Sequence, residues 1–300
     1  MRHKSGLWWE KSWNPITGCT HAGTPGCDNC YARRMAKRLA GRFGYPEKPN
    51  EFKPTFHPDK LEEPLRRKKP TVYFVCSMGD LFHEDVDLET IHQVYVTMHK
   101  ARNHVFLVLT KRAKRMEYFY RYERRNGRLI ENVVNIWPGV SVENQDAMWR
   151  VEELVKIPGK HWVNFGPLLG PVTIPPELLA RLAGVAVEGE SGPGARPMHP
   201  DWARGIRDQC LEAGIPFSFK QWGLWHPAVW VTGEGDIAAL AADRDKSEDV
   251  FGDGQYMMAF PNVDTGRLLD GQLHDAWPWD VIGGMEDGEG DSGDSIRVRN

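Results

Sequence analysis

Long apolar runs are missing from this sequence. No stretch approaches the roughly 18 uninterrupted apolar residues of a membrane span, so no membrane partner is expected. The opening MRHKSGLWWEKSWNP carries charge but no apolar stretch ahead of its first proline, which argues against a secretory signal. No G-x-G-x-x-G opens a helical pattern and no Walker loop is present, which removes the two common phosphate-cradling signatures. Repeats at solenoid or propeller periods are absent as well. Charge of one sign is also lacking: 38 Lys+Arg against 41 Asp+Glu gives −3, which implies no general affinity for nucleic acid. Cysteine is scarce and odd in number, five in all, which argues against a disulfide framework. What remains is the composition of a globular, cytoplasmic protein, 41% hydrophobic and 26% charged, with enough apolar material for a large core.

The scarce residues are unevenly placed. Cys19, Cys27 and Cys30 fall within twelve residues, while Cys76 lies in an apolar run and Cys210 in a helical pattern, where buried thiols are expected. Charge is polarised too. Residues 1–70 carry 15 Lys/Arg against 7 Asp/Glu, and residues 100–128 carry 10 against 2. The compensating acid comes late, in a Gly-rich tail (283–295) whose composition predicts disorder.

Between these extremes, short apolar runs alternate with helical patterns. Strands are expected at 71–77, 104–110, 135–143, 161–166, 185–191 and 215–221. Helices are expected at 31–43 (with Met35, Leu39 and Phe43 inward), 88–101, 114–127, 146–157, 175–184 and 201–214. Strands buried on both faces and separated by helices are parallel strands with right-handed crossovers. The fold class is therefore α/β: a partial (β/α)6-type TIM barrel over residues 1–222. A small appendage at 223–282 follows, with short strands in HPAVWVT, YMMAF and GRLLDG, and then the tail 283–300. Polar residues cluster where the strands end, in SMGD (77–80), SVEN (141–144) and EGESG (188–192), and in such a barrel these ends face the ligand-binding mouth.

C-x7-C-x2-C is a loop able to fold back on a metal centre, and thiolates suit zinc and iron–sulfur clusters alike. On spacing alone the two are level. Three thiolates on a 4Fe–4S cluster leave one iron open to a substrate, whereas zinc with His21 as fourth ligand makes a closed structural site. His57, His83, His199 and His226 show no metal spacing and are expected at the surface or behind the site.

The segments WNPITGC, TPGCDNCYA, VCSMGDLFHEDV, FLVLTKR, GVSVENQ, PLLGPV, GESGPGARPMHPDW, RDQC, PFSFKQWG and GRLLDG span Trp13 to about Asp270. In combination they closely resemble a phage and bacterial family of radical S-adenosylmethionine (SAM)-like proteins of unassigned function. The cysteine spacing is longer than the C-x3-C-x2-C commonest in the wider radical SAM superfamily. The resemblance implies that Cys19, Cys27 and Cys30 ligate a 4Fe–4S cluster whose open iron is chelated by SAM. It places Gly79 and Asp80 where the SAM amino group is received, and Ser141, Glu143 and Asn144 at the ribose. Glu188, Glu190 and Ser191 fall where SAM or substrate is contacted. The competing role for Asp80 is an N-cap of the next helix. One departure is plain: Asn164-Phe165-Gly166-Pro167 stands where the family pattern leads us to expect a glutamate before the proline.

The activity implied is reductive SAM cleavage to a 5′-deoxyadenosyl radical that abstracts hydrogen, with an electron donor such as a flavodoxin. The family context points to a nucleotide or DNA base as substrate, in the host cytoplasm if the chain is phage-encoded. Isomerisation of an amino-acid-substituted thymidine, within phage DNA hypermodification and evasion of restriction, is one reaction of that class. A nucleic acid would meet the basic helix (Arg33, Arg34, Lys37, Arg38) and the segment Lys111–Arg128. The alternative reading is a zinc-stapled nucleic-acid-binding module.

Overall fold

The computed structural model describes residues 8–128, 134–227, 247–259 and 266–277. Seven strands form one parallel sheet in chain order: β1 (Lys11–Trp13), β2 (Val72–Val75), β3 (Val105–Thr110), β4 (Ile136–Ser141), β5 (His161–Phe165), β6 (Leu182–Glu188) and β7 (Phe217–Gln221). The intervening helices are α1 (Tyr31–Leu39), α2 (Leu88–Lys100), α3 (Ala113–Arg125), α4 (Trp149–Leu154) and α5 (Pro200–Glu212), with a single helical turn, Pro176–Leu179, between β5 and β6. Strands that neighbour each other in sequence order, each pair joined by a crossover, give the curled sheet of a partial TIM barrel.

The continuous apolar runs serve two faces, because alternate side chains of a strand point opposite ways. Tyr73, Val75, Phe106, Val108, Val163 and Phe165 pack against buried residues of the helices, among them Ile91, Val94, Met98, Met116 and Phe119. On the other face Trp8, Phe74, Leu107, Trp137 and Trp162 form a separate cluster. Trp8 plugs it, with its ring 4.6 Å from Trp162 and 4.8 Å from Phe74. Gly139 is required here, since a Cβ at that position would sit 2.4 Å from the Trp162 indole nitrogen. Aromatic rings fill this end of the curl, so ligand space is left to the opposite, C-terminal end.

Three local expectations change. Helix 31–43 stops at Leu39 and buries Ala32 and Ala36, whereas Met35 and Phe43 are exposed; small residues let the helix lie close to the sheet. In 175–184 only one helical turn forms, because β6 begins at Leu182 to pair with His161. The expected 146–157 helix is a short 3-10 turn at Gln145–Ala147 followed by α4. The N-cap of α2 is Asp87, whose carboxylate accepts from Thr90 N at 2.7 Å; Asp80 lies well upstream of it.

Of the appendage, Trp225–Pro227 and Ser247–Glu248 flank Met257–Ala259 in a small antiparallel sheet. Leu268–Leu269 and Gln272–Leu273 form a hairpin around Asp270-Gly271, both at positive φ as a type I′ turn demands. This hairpin is fastened to the barrel. Arg204 and Arg207 of α5 both grip Asp270, Leu269 is buried, and Phe219 N donates to His274 O at 3.0 Å along β7. The remainder of HPAVWVT and the acidic tail lie outside the described residues. Among the described residues no helix is long and apolar enough to cross a membrane.

Candidate functional site

The cysteine segment leaves β1 and is threaded over the C-terminal ends of the strands. Its start is fixed by backbone. Gly18 N donates to Met78 O at 2.9 Å, and Gly79 lies against Gly18 so closely that a Cβ on Gly79 would come 2.8 Å from Gly18 O. Asn14 Oδ1 accepts from Met78 N (3.0 Å) and Ser77 Oγ (3.2 Å), tying the ends of β1 and β2 together. The missing side chain of Gly79 thus admits the cysteine segment.

Three acid–arginine pairs pin the rest of that segment, one at each of three strand ends. Beyond β2, Asp80 accepts from Thr110 Oγ1 (2.7 and 2.9 Å) and from Arg112 Nη1 (3.0 Å). Arg112 also donates to Cys19 Sγ at 3.3 Å, to Thr20 O at 3.3 Å and to Glu84 at 2.8 Å. Beyond β4, the fully buried Glu143 accepts from Arg150 Nη1 (2.6 Å) and from Thr24 Oγ1 (2.5 Å), and Gly26 leaves room for its side chain. Beyond β6, Glu190 accepts from Arg196 (2.6 to 2.9 Å) and from Asn29 Nδ2 (3.0 Å), while Arg196 reaches Pro25 O at 2.7 Å.

Ser141 Oγ takes a hydrogen bond from Lys111 Nζ (2.6 Å) and gives one to Gly166 O (2.7 Å), and Asn144 opens the turn that precedes α4. Gly79, Asp80, Glu143 and Glu190 therefore meet the cysteine segment directly or through Arg112, whereas the contacts of Ser141 are to Lys111, Gly166 and Arg150, and Asn144 stands at the N-cap of its own turn. Arg150, Arg196, Thr24 and Asn29 complete the arrangement and were not singled out from sequence; each is an ordinary residue in an unremarkable local pattern.

No glutamate precedes Pro167, where Gly166 stands, yet a carboxylate lies at that place: a Cβ on Gly166 would come 2.5 Å from Glu188 Cγ. Asn164 Nδ2 donates to Glu188 Oε1 at 2.8 Å, and Glu188 is paired with Lys220. Among the described residues, Asn164 Oδ1 is buried without a partner. The four histidines are not at the surface: His57, His83, His199 and His226 are all buried, because each ring has a fixed polar neighbour. Thr17 and Thr20 of the cysteine strand lie 2.7 Å from His57 and His83, His199 caps α5 and meets Asp253 at 2.8 Å, and His226 Nδ1 lies 2.9 Å from Pro227 O.

The cysteines differ in setting. Cys19, Cys27 and Cys30 are partly exposed, while Cys76 and Cys210 are buried. Burial, with the Asp80 charge behind it, pushes the Cys19 thiol up to about 12, against the pull of Arg112; Cys27 adds a further upward push. A thiol so placed ionises when a cationic centre binds it. Among the described residues no three His, Cys, Asp or Glu side chains are gathered for a single ion. The zinc reading requires His21, whose Nε2 meets Asp28 at 2.9 Å and whose Nδ1 accepts from Gly23 N at 3.0 Å, so both ring nitrogens are engaged. The three thiols are soft donors along one loop, the residues that could hold a soft metal centre.

Burial pushes the Glu190 carboxyl up, but hydrogen bonds from the Arg196 side chain and backbone and from Asn29 together outweigh it, leaving the group below the ordinary glutamate range. A depressed folded-state value contributes stability that is complete above the unfolded value of about 4.3 and is lost as pH falls through the lowered one. Acidification is therefore expected to loosen the cysteine segment. Protease cleavage within 19–30, followed as pH falls below about 4.3, should rise in the natural chain and rise less steeply in Glu190→Gln, where the other acid–arginine pairs alone respond.

Fold and site together define a partial-barrel α/β protein whose three-cysteine segment is stapled across the C-terminal mouth of its sheet. The chain belongs to the family described as "Protein of unknown function (DUF5131)", whose model matches residues 5–278. No curated protein matches it. Among solved structures it is similar to a spore photoproduct lyase variant with bound AdoMet and dinucleoside spore photoproduct, at TM-score 0.40 and 11% identity, covering 84% of this chain and 68% of that one. A second spore photoproduct lyase structure, complexed with dinucleoside spore photoproduct, gives TM-score 0.38 and 10% identity over 82% of this chain and 67% of that one. Likenesses of this size carry no functional conclusion.

Proposed function

We propose that this chain is a radical SAM enzyme that acts on a nucleotide or DNA base. The observation that carries the reading is the three-thiol segment held over the C-terminal mouth of a partial parallel barrel, with Cys19 against the Asp80–Arg112 pair. Cys19, Cys27 and Cys30 would hold a 4Fe–4S cluster, which when bound supplies an open iron for SAM and the electron for its reductive cleavage. The chain's own residues supply position. Asp80 offers a carboxylate for the SAM ammonium; Ser141, Glu143 and Asn144 are the candidates for ribose contact, and Glu190 borders the same mouth. The unpartnered Asn164 Oδ1 can accept a hydrogen bond from a ligand amine or hydroxyl.

A flavodoxin-type protein would serve as electron donor. The narrower reaction within this reading is isomerisation of an amino-acid-substituted thymidine in phage DNA hypermodification, which evades host restriction. Anaerobic reconstitution tests the general reading: a brown protein with about four irons that converts SAM to 5′-deoxyadenosine under reduction is expected. Stoichiometric colourless zinc would overturn it.

Asp80→Asn separates two roles. Iron content should be unchanged while SAM binding weakens about ten- to a hundredfold, since a charge-assisted hydrogen bond contributes roughly 1.5–3 kcal/mol. Unchanged SAM affinity with a lowered Tm would show that Asp80 serves the Arg112 pair alone.

A further inference from the structure

Beside the barrel mouth, and sharing Thr20, Lys111 and Arg112 with it, a cleft of 640 Å³ opens between residues 20–22 of the cysteine segment and the start of α3. Its wall carries Lys111, Lys114, Tyr118 and Trp149. Trp149 is 37% exposed and Tyr118 is 43% exposed, large apolar faces left open to solvent. Lys114 Nζ stands 5.0 Å over the Trp149 ring and, among the described residues, forms no ion pair. The two carboxylates nearby are already occupied, Glu84 by Arg112 at 2.8 Å and Glu117 by Arg121 at 3.6 Å.

The pattern continues beyond the cleft. Lys114, Tyr118, Tyr122 and Arg125 recur at spacings of three and four along α3, so they share one face. The Tyr118 and Tyr122 rings lie 6.4 Å apart at 31°. The eleven steps of helix from Lys114 to Arg125 advance about 16 Å, longer than the step from one phosphate to the next.

We propose that this cleft and the exposed face of α3 bind single-stranded nucleic acid, with a base stacked on Tyr118 and phosphates on Arg125 and on Lys114, whose ammonium is held over the Trp149 ring. Interleaved aromatics and cations are what a single strand uses, because its bases are free to stack. A duplex hides those faces, and a mononucleotide would not reach along the helix. This inference deepens the proposed reading and rests on it, since it concerns how the strand bearing the reacting base is held beside the cysteine segment.

The experiment is fluorescence anisotropy of the full chain with labelled oligo-dT, oligo-rU and a duplex of equal length, at low and moderate salt. Oligo-dT is expected to bind more tightly than the duplex and to weaken steeply with salt; the relative affinity of oligo-rU reports whether the strand is DNA or RNA. Tyr118→Ala should weaken binding about five- to a hundredfold, with Tyr118→Phe close to the natural chain. Lys114→Gln should reduce the salt slope by about 0.7. Duplex binding equal to oligo-dT, or Tyr118→Ala without effect, would overturn the inference. Neither result touches iron content or SAM cleavage, which test the proposed reading separately.

Discussion

Replacing Cys27 by alanine is expected to abolish cluster assembly, as are Cys19→Ala and Cys30→Ala, whereas Cys76→Ala and Cys210→Ala keep full iron content. The asymmetry follows from setting. The first three thiols are partly exposed on one segment above the strand ends, and a three-thiolate site cannot lose a donor without baring a second iron. Cys76 and Cys210 are buried among apolar side chains, where burial pushes each thiol up to about 12 and leaves it a small hydrophobe. Their replacement costs stability in proportion to the lost packing. Iron and sulfide analysis of the five variants decides the matter, and a full cluster in Cys27→Ala would remove the assignment.

Arg150→Met should be the most destabilising single change at the mouth. Glu143 is fully buried, and its partner Arg150 is nearly so. Breaking a buried pair from one side leaves an uncompensated charge, which typically costs about 3–5 kcal/mol. Lys111 Nζ, 3.9 Å from Glu143, is the remaining cation and softens the loss. Removing both charges in Arg150→Met with Glu143→Gln should recover much of it, because nothing charged is then left buried. Chemical denaturation of the two single variants and the double variant measures the coupling. A single-variant cost below about 1 kcal/mol would place the pair with weak surface bridges instead.

Much of this was legible in the sequence, for identifiable reasons. VYFV, VFLVLT and HWVNF are buried on both faces, and only a parallel sheet between layers asks that of consecutive residues. The strand-end residues Asp80, Ser141, Glu143 and Glu190 could be named because polar residues directly after such runs have one place to go. Their partners could not. Arg150 lies seven residues beyond Glu143 inside an amphipathic pattern, and Asn29 is 161 residues from Glu190, so only the fold brings them together. Periodicity misled at α1, where Met35 and Phe43 occupy a regular stripe yet stay exposed, because Ala32 and Ala36 allow the closer approach. Of the two places open to the histidines, the surface is the wrong one: a ring with a fixed threonine or backbone partner can be buried, as His57 and His83 are behind the cysteine segment.

The hairpin at Leu268–Leu273 has a bearing on how molecules of this protein meet one another. β7 is the last strand of the sheet, and residues 274–276 lie along it, with Phe219 N donating to His274 O at 3.0 Å and Ala276 N to Phe217 O at 3.3 Å. An uncovered parallel edge presents a row of unsatisfied donors and acceptors on which a second chain can add a strand. Because Arg204 and Arg207 clamp Asp270, the cover is held by charge as well as by backbone. The same short segment that looks like a decorative appendage thus acts as a guard against aggregation, keeping the sheet's growing edge closed to its own copies.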